Sequence, residues 1–175
     1  MSYNKKCSKW LSFVLRHEPE SAGLALDAEG WVDLDLLISK SAFTREEVER
    51  AVEMNEKQRF TIKDGRIRAN QGHSLEVDLQ LTAVEPPEFL YHGTPYHHLA
   101  LIYMEGIQKM DRQHVHLSAD AEVASVVGAR RGKPYVLTIE AKLMYAAGHK
   151  FYRSANGVWL TDSVPTIFIK EKQCS

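Results

Sequence analysis

The sequence predicts a β-rich α+β protein made of two unlike parts, and three observations carry that reading. Up to Glu56 the apolar residues recur at helical spacing. From Phe89 onward short alternating runs at strand spacing dominate. Between them, residues 75–88 hold no periodic pattern and include Glu85-Pro86-Pro87-Glu88, whose paired prolines stiffen the chain and stop secondary structure. The expected boundaries are 1–78 for the first lobe and 85–175 for the second.

Residues 5–16 place Trp10, Leu11, Val14 and Leu15 on one helical face. Pro19 disfavours helical geometry in the residue before it, so Arg16 and His17 fall where the helix stops. Irregular positions of that kind often carry functional side chains. Leu24 and Leu26 alternate into the turn Asp27-Ala28-Glu29-Gly30, and Trp31-Val32 form a short extended piece. Asp33 can cap a second helix with Leu34, Leu37 and Ile38 inward. Thr44-Arg45-Glu46-Glu47 fits a capping box, with Val48, Ala51 and Val52 on the buried face of a third helix.

In residues 57–74, Phe60 and Ile62 alternate with polar neighbours, as do Ile67 and Ala69 beyond Asp64-Gly65. Asp-Gly tolerates the positive φ angles of a type I′ turn, so this reads as a two-strand hairpin. Basic residues are dense between Lys57 and Arg68, and period-two alternation would set Lys57, Arg59 and Lys63 on one face. A solvated edge kept from aggregating by charge accounts for the same pattern. Three helices followed by a basic hairpin is the order of a winged helix. Its third helix would read DNA poorly, because Glu46, Glu47, Glu49, Glu53 and Glu56 repel phosphates. The basic wing is the better surface for RNA.

The second part opens with Phe89-Leu90-Tyr91-His92-Gly93-Thr94, expected as a strand ending at the glycine. A helix with Leu99, Ile102 and Tyr103 on one face ends at Gly106. His114 to Ser118 reads as a strand, and Ser118 or Asp120 can cap a helix reaching Val127. Residues 134–139 read as a strand, 151–160 as a hairpin around Asn156-Gly157, and Thr166-Ile167-Phe168-Ile169 as a last strand.

At 175 residues the chain can bury a real core, and 44% hydrophobic with 26% charged residues is ordinary globular composition. A net charge of −1 means that a nucleic-acid partner must be met by a local basic patch. Cys7 and Cys174 have no paired spacing, which argues against a disulfide framework or a cysteine zinc site and favours a reducing cytoplasm. No apolar run reaches membrane-spanning length, and the first residues lack a signal peptide's apolar segment. A soluble cytoplasmic monomer is expected.

Gly128-Ala129-Arg130-Arg131-Gly132-Lys133 imitates a P-loop but fails it. The glycines are separated by three residues rather than four, and Pro134 replaces the magnesium-binding Ser or Thr. No dinucleotide fingerprint of three spaced glycines is present. His97, His98, His114 and His116 lack a Cys or acidic partner at zinc-ligand spacing, so hydrogen-bonded strand residues describe His114 and His116 better than metal ligands.

Five motifs in order set a more specific expectation: Leu15-Arg16-His17-Glu18-Pro19, Lys57-Gln58-Arg59-Phe60, Gln71-Gly72-His73-Ser74, His92-Gly93-Thr94 and His114-Val115-His116-Leu117-Ser118. Together they resemble the NAD-dependent RNA 2′-phosphotransferase family, similar to enzymes that remove the splice-junction 2′-phosphate from tRNA. The resemblance covers roughly Lys5 to Lys170. It implies an N-terminal winged-helix lobe and a C-terminal ADP-ribosyltransferase-like lobe that binds NAD, with the 2′-phosphate between them.

Arg16, His17, Arg59 and Arg130 match the family's Arg-His-Arg-Arg catalytic set, with Arg131 the alternative at the fourth position. Arginine offers a planar fork suited to phosphate and stays charged, so the three arginines can hold phosphate but cannot act as bases. His17 is the member able to move a proton near neutral pH. For NAD, the resemblance implies His92 on the adenosine ribose, Gly93 presenting its backbone to the nicotinamide amide, and Thr94 and Ser118 as lining. Arg68 and Gln71 to Ser74 are expected to shape the lobe interface or contact RNA.

The implied chemistry has two steps. The RNA 2′-phosphate displaces nicotinamide from NAD, and the ribose 2″-hydroxyl then attacks phosphorus. The products are 2′-hydroxyl RNA and ADP-ribose 1″,2″-cyclic phosphate, with no metal required. An ADP-ribosyltransferase that caps terminal phosphates of RNA or DNA, and a non-enzymatic winged-helix regulator, remain as alternatives.

Overall fold

The computed structural model describes residues 4–170. The chain divides between Gln80 and Leu81 into two compact units.

In the first unit, α1 (Lys5–Arg16) begins where the Asn4 side chain accepts from the backbone N–H groups of Lys6 and Cys7. It ends at His17, whose N–H still reaches the Phe13 carbonyl. The Asp27 carboxylate accepts from the Glu29 and Trp31 N–H groups, and Gly30 closes that turn at φ 81°. Strand β1 (Val32–Asp33) leads into α2 (Leu34–Ser39), which Asp33 caps through the Leu36 N–H at 2.8 Å. The capping box at Thr44 and Glu47 is complete and starts α3 (Arg45–Glu53).

The hairpin follows as β2 (Phe60–Lys63) and β3 (Arg66–Ala69). Asp64 at φ 50° and Gly65 at φ 70° form the expected turn, with Ile62 opposite Ile67. β1 pairs antiparallel with β3 on the far edge. Leu11, Val14, Leu15, Leu37, Val48, Ala51, Phe60 and Ile67 form the core beneath this sheet. Cys7 joins that core as a free thiol; burial, then the Glu47 charge, push its pKa up to about 11. Cys174 lies outside the described residues.

The alternation expected from Lys57 to Lys63 does not hold. Gln58 takes φ 41°, and the buried Asn55 side chain accepts from the N–H groups of Lys57 and Arg59. The strand therefore starts only at Phe60, and Lys57 and Arg59 do not share a strand face with Lys63. Asn70 fixes the same bend by donating to the Gln58 carbonyl at 2.6 Å.

In the second unit, β4 (Leu90–Pro95) runs two residues past Gly93, because its pairing continues through Thr94 and Pro95. A 3₁₀ turn (Tyr96–His98) leads to α4 (Leu99–Glu105), which Gly106 terminates at φ 77°. Next come β5 (Ile107–Gln108), β6 (Val115–Leu117) and α5 (Ala121–Gly128), the last capped by the Asp120 carboxylate. A 3₁₀ turn (Ala129–Arg131) precedes β7 (Pro134–Ile139). Helix α6 (Ala141–Ala146) was not expected: it is six residues long, lacks a side-chain cap, and is held by burial of Ala141 and Met144.

The hairpin around Gly157 forms as β8 (Tyr152–Arg153) and β9 (Trp159–Thr161), followed by β10 (Ser163–Val164). The last expected strand is instead a 3₁₀ turn (Thr166–Phe168) set by Pro165, and only β11 (Ile169–Lys170) is extended. The strands pair in the orders β11-β7-β4, β6-β9-β8 and β10-β5. Leu90, Leu137, Ile139, Met144, Phe151 and Val164 are central in the core. The fold is thus mixed helix and strand in both units. No described helix is long and apolar enough to cross a membrane.

Candidate active site

In the first unit the end of α1 meets the start of β2 and the segment after β3. Arg16 is buried, and its guanidinium lies 5.8 Å from the centroid of the Phe60 ring, the residue after Arg59. Arg59 is held at both ends. Its Nη1 reaches Asn55 Oδ1 at 3.5 Å and its carbonyl accepts from the Asn70 N–H at 2.8 Å. His17, exposed at the helix end, has Nδ1 3.0 Å from Ser74 Oγ. Ser74 also donates its N–H to the Arg16 carbonyl at 2.9 Å. The first-unit members of the expected catalytic set therefore gather at one corner.

His73, beside Ser74, is 1% exposed, and neither ring nitrogen has a hydrogen-bond partner among the described residues. Burial first, then the charges of Arg16, His17 and Arg68, push its pKa down to about 4. It is a neutral ring set among cations. Arg68 lies 4.5 Å from the Trp31 ring centroid and donates to the Glu29 carbonyl, while Arg66 pairs with Asp27 at 2.9 Å. These two wing cations are already engaged within the unit.

In the second unit Tyr91 of β4 bridges Ser118, the residue after β6, and the two exchange both backbone hydrogen bonds at 2.8 and 2.9 Å. Beyond that bridge the strands part. The His92 ring spans the gap, with Nδ1 3.1 Å from the His116 carbonyl. A carbonyl only accepts, so Nδ1 carries the proton; burial lowers the His92 pKa, which leaves a neutral ring with its lone pair on Nε2. Backbone groups alternate sides along a strand. Tyr91 spends its pair on Ser118, away from β7, so the N–H and C=O of Gly93 point toward the same edge.

Gly93 has a second reason to be glycine. A Cβ there would overlap the Ala124 carbonyl, and one on Gly128 would lie 2.9 Å from the Thr94 nitrogen. Helix α5 thus rests directly on β4, backbone to backbone. Thr94 is buried, and the Ser118 hydroxyl accepts from the Asp120 N–H at 3.0 Å, tightening the entry into α5. Arg130 and Arg131 are exposed on the turn after α5 and both lie close enough to Arg112 to depress its pKa, after burial.

Arg112 was not singled out by sequence reasoning. Its Nη1 lies 3.0 Å from His116 Nδ1. Arginine can only donate, so His116 Nδ1 is the acceptor in this contact. The signal is a spacing of four residues within irregular chain, which no periodic pattern marks.

A family description, RNA 2′-phosphotransferase, Tpt1 / KptA family, matches residues 2–163. The chain belongs to this family. A relative from Rhizobium leguminosarum bv. trifolii, named "Probable RNA 2′-phosphotransferase", is 54% identical over 93% of this chain and 91% of its own. Relatives of the same name from Streptomyces coelicolor and Pectobacterium atrosepticum are each 50% identical. They cover 94% and 96% of this chain and 93% and 98% of their own. This RNA 2′-phosphotransferase family member is accordingly an enzyme.

Proposed function

We propose that this enzyme transfers an internal RNA 2′-phosphate, such as one at a tRNA splice junction, to NAD. The observation that carries the NAD assignment is the parted β4–β6 edge, where His92 Nε2 and the Gly93 N–H and C=O line one gap. An accepting imidazole nitrogen suits a ribose hydroxyl. A paired N–H and C=O suit a carboxamide, which needs one acceptor and one donor. The second unit is read as an ADP-ribosyltransferase-like lobe, with Thr94 and Ser118 as lining. The first, three helices and a basic hairpin, is read as a winged-helix lobe that contacts RNA.

Arg16, Arg59 and Arg130 hold the phosphate. In the first step a phosphate oxygen bonds to the ribose C1″ as the bond to nicotinamide breaks. The phosphate is already an anion, so no base is needed. In the second step the 2″-hydroxyl oxygen bonds to phosphorus and the bond from phosphorus to the RNA 2′-oxygen breaks. The proton lost by the 2″-hydroxyl ends on the RNA 2′-oxygen, and His17 carries it. Negative charge builds on the non-bridging oxygens during this step, where arginine forks stabilise it.

Incubating the protein with a 2′-phosphorylated oligonucleotide and NAD, then weighing all products by mass spectrometry, tests the reading. Nicotinamide, ADP-ribose 1″,2″-cyclic phosphate and 2′-hydroxyl RNA are expected. RNA left bearing ADP-ribose on its phosphate would mean a capping transferase, and RNA unchanged with NAD intact would mean a binding protein.

A further inference from the structure

We infer that Ser74 is a positioning residue that fixes the tautomer and orientation of His17; the inference rests on the reading of His17 as the proton-transfer group. The two residues are 57 positions apart, and their contact is the 3.0 Å approach of Ser74 Oγ to His17 Nδ1.

The direction of that hydrogen bond follows from the rest of the Ser74 environment. Its Oγ also lies 3.4 Å from the Arg16 carbonyl, which already takes the Ser74 N–H at 2.9 Å. A carbonyl has no proton to give, so a hydroxyl lone pair aimed at it would be repelled. The single hydroxyl hydrogen therefore points to Arg16, and Oγ meets Nδ1 with a lone pair. His17 donates from Nδ1, and its neutral ring carries the lone pair on Nε2.

The same arrangement serves both charge states. When Nε2 takes a proton, Nδ1 keeps its own and still donates to Ser74, so no group has to turn over during the transfer. The Arg16 carbonyl is among the last in α1, the negative end of the helix dipole. Ser74 relays that end to the imidazole. Its backbone contact is independent of its side chain, so truncating the hydroxyl leaves the segment tied to α1.

The test compares Ser74→Ala, Ser74→Thr and His17→Ala, with nitrogen-15 NMR of the His17 ring and the rate of each step on 2′-phosphorylated RNA. In the unaltered protein the ring nitrogen shifts should show a protonated Nδ1. Ser74→Ala should shift the population toward the other tautomer and slow the second step about tenfold, less than the roughly 10²- to 10⁴-fold supplied by a positioned acid–base group. Ser74→Thr restores the hydroxyl and should keep both within about twofold of the original. In a His17→Ala background, Ser74→Ala should cost nothing further, since coupled residues do not add.

A His17→Ala enzyme as fast as the original would overturn the reading of His17, whatever the tautomer shows. A slow His17→Ala enzyme with Ser74→Ala unchanged in tautomer and rate would overturn the role of Ser74 alone. Additive losses in the double variant would also overturn it, by showing that Ser74 acts elsewhere.

Discussion

His92 donates from Nδ1 to the main-chain carbonyl of His116, 3.1 Å away, so a side chain on one strand supports the backbone of the strand that has parted from it. That bond commits His92 Nε2 to accepting. His92→Phe keeps an aromatic ring and removes the acceptor. NAD affinity, measured by calorimetry, should fall roughly 5- to 100-fold, the range of one lost hydrogen bond that leaves a buried partner unsatisfied. Unchanged affinity would overturn the proposed contact of His92 with NAD.

Gly93→Ala should unfold or severely loosen the second unit before any ligand effect can be read. The new methyl would overlap the Ala124 carbonyl, which is backbone and has no rotamer to yield. A loss of at least about 4 kcal/mol, the exceptional end for single substitutions, is expected in denaturant unfolding. A stable Gly93→Ala protein would show that α5 can move off β4.

Acid should weaken the first unit through His73. Its pKa in the fold is about 4 against an ordinary 6.5, so between those values the unfolded chain binds more protons than the folded one. The neutral ring's contribution is complete above pH 6.5 and is lost progressively as pH falls toward 4, by roughly 3 kcal/mol in all. His73→Phe should flatten that decline in urea unfolding across the same pH range. An equal decline in both proteins would assign it to other groups.

Arg59→Ala should slow the second step more than the first. On the proposed route the phosphate dianion loses charge in the first step as it bonds to carbon, and an arginine on it would both align and dull the nucleophile. In the second, charge builds on the non-bridging oxygens, so the arginine binds the transition state better than the ground state. A loss of about 10²- to 10³-fold is expected there, with ADP-ribosylated RNA accumulating on a gel. Equal loss of both steps would make Arg59 a substrate-binding residue only.

Within the wing, Lys63 and Arg66 should differ. Arg66 is paired with Asp27 at 2.9 Å and lies 5.4 Å from the Trp31 ring centroid, whereas Lys63 is exposed at the end of β2. If the wing meets RNA, Lys63→Ala should reduce the salt dependence of binding by nearly one counterion and Arg66→Ala by less. No change with Lys63→Ala would take the wing out of the RNA surface.

Local chemistry was legible in the sequence, and long-range chemistry was not. The short-range signals held: the Asp33 cap, the Thr44 box and the Asp64-Gly65 turn each depend on neighbours within a few residues. Helix α6 was hidden because it is short and uncapped, and the Thr166–Phe168 turn because alternation alone cannot tell a strand from a 3₁₀ turn after proline. Motif order singled out Arg16, His17 and Arg59. It was silent on what steers them, since Ser74 reaches His17 across 57 positions and Asn70 steadies the Arg59 bend through Gln58. The packing reason for Gly93 was equally out of reach, because it depends on where α5 crosses β4.

That crossing has a mechanical consequence. Where side chains separate a helix from a strand, rotamer changes let one slide over the other; where main chains touch, there is no such bearing. The contact of Gly93 with Ala124 and of Gly128 with Thr94 joins α5 to β4 at two points along the helix, as a hinge plate is fixed by two screws. Arg130 follows directly after Gly128 and Ala129, so its anchor is keyed to the strand that carries His92. Any opening of the second unit must then occur in segments outside this block, and a compound that displaced α5 would disturb the placement of both residues at once.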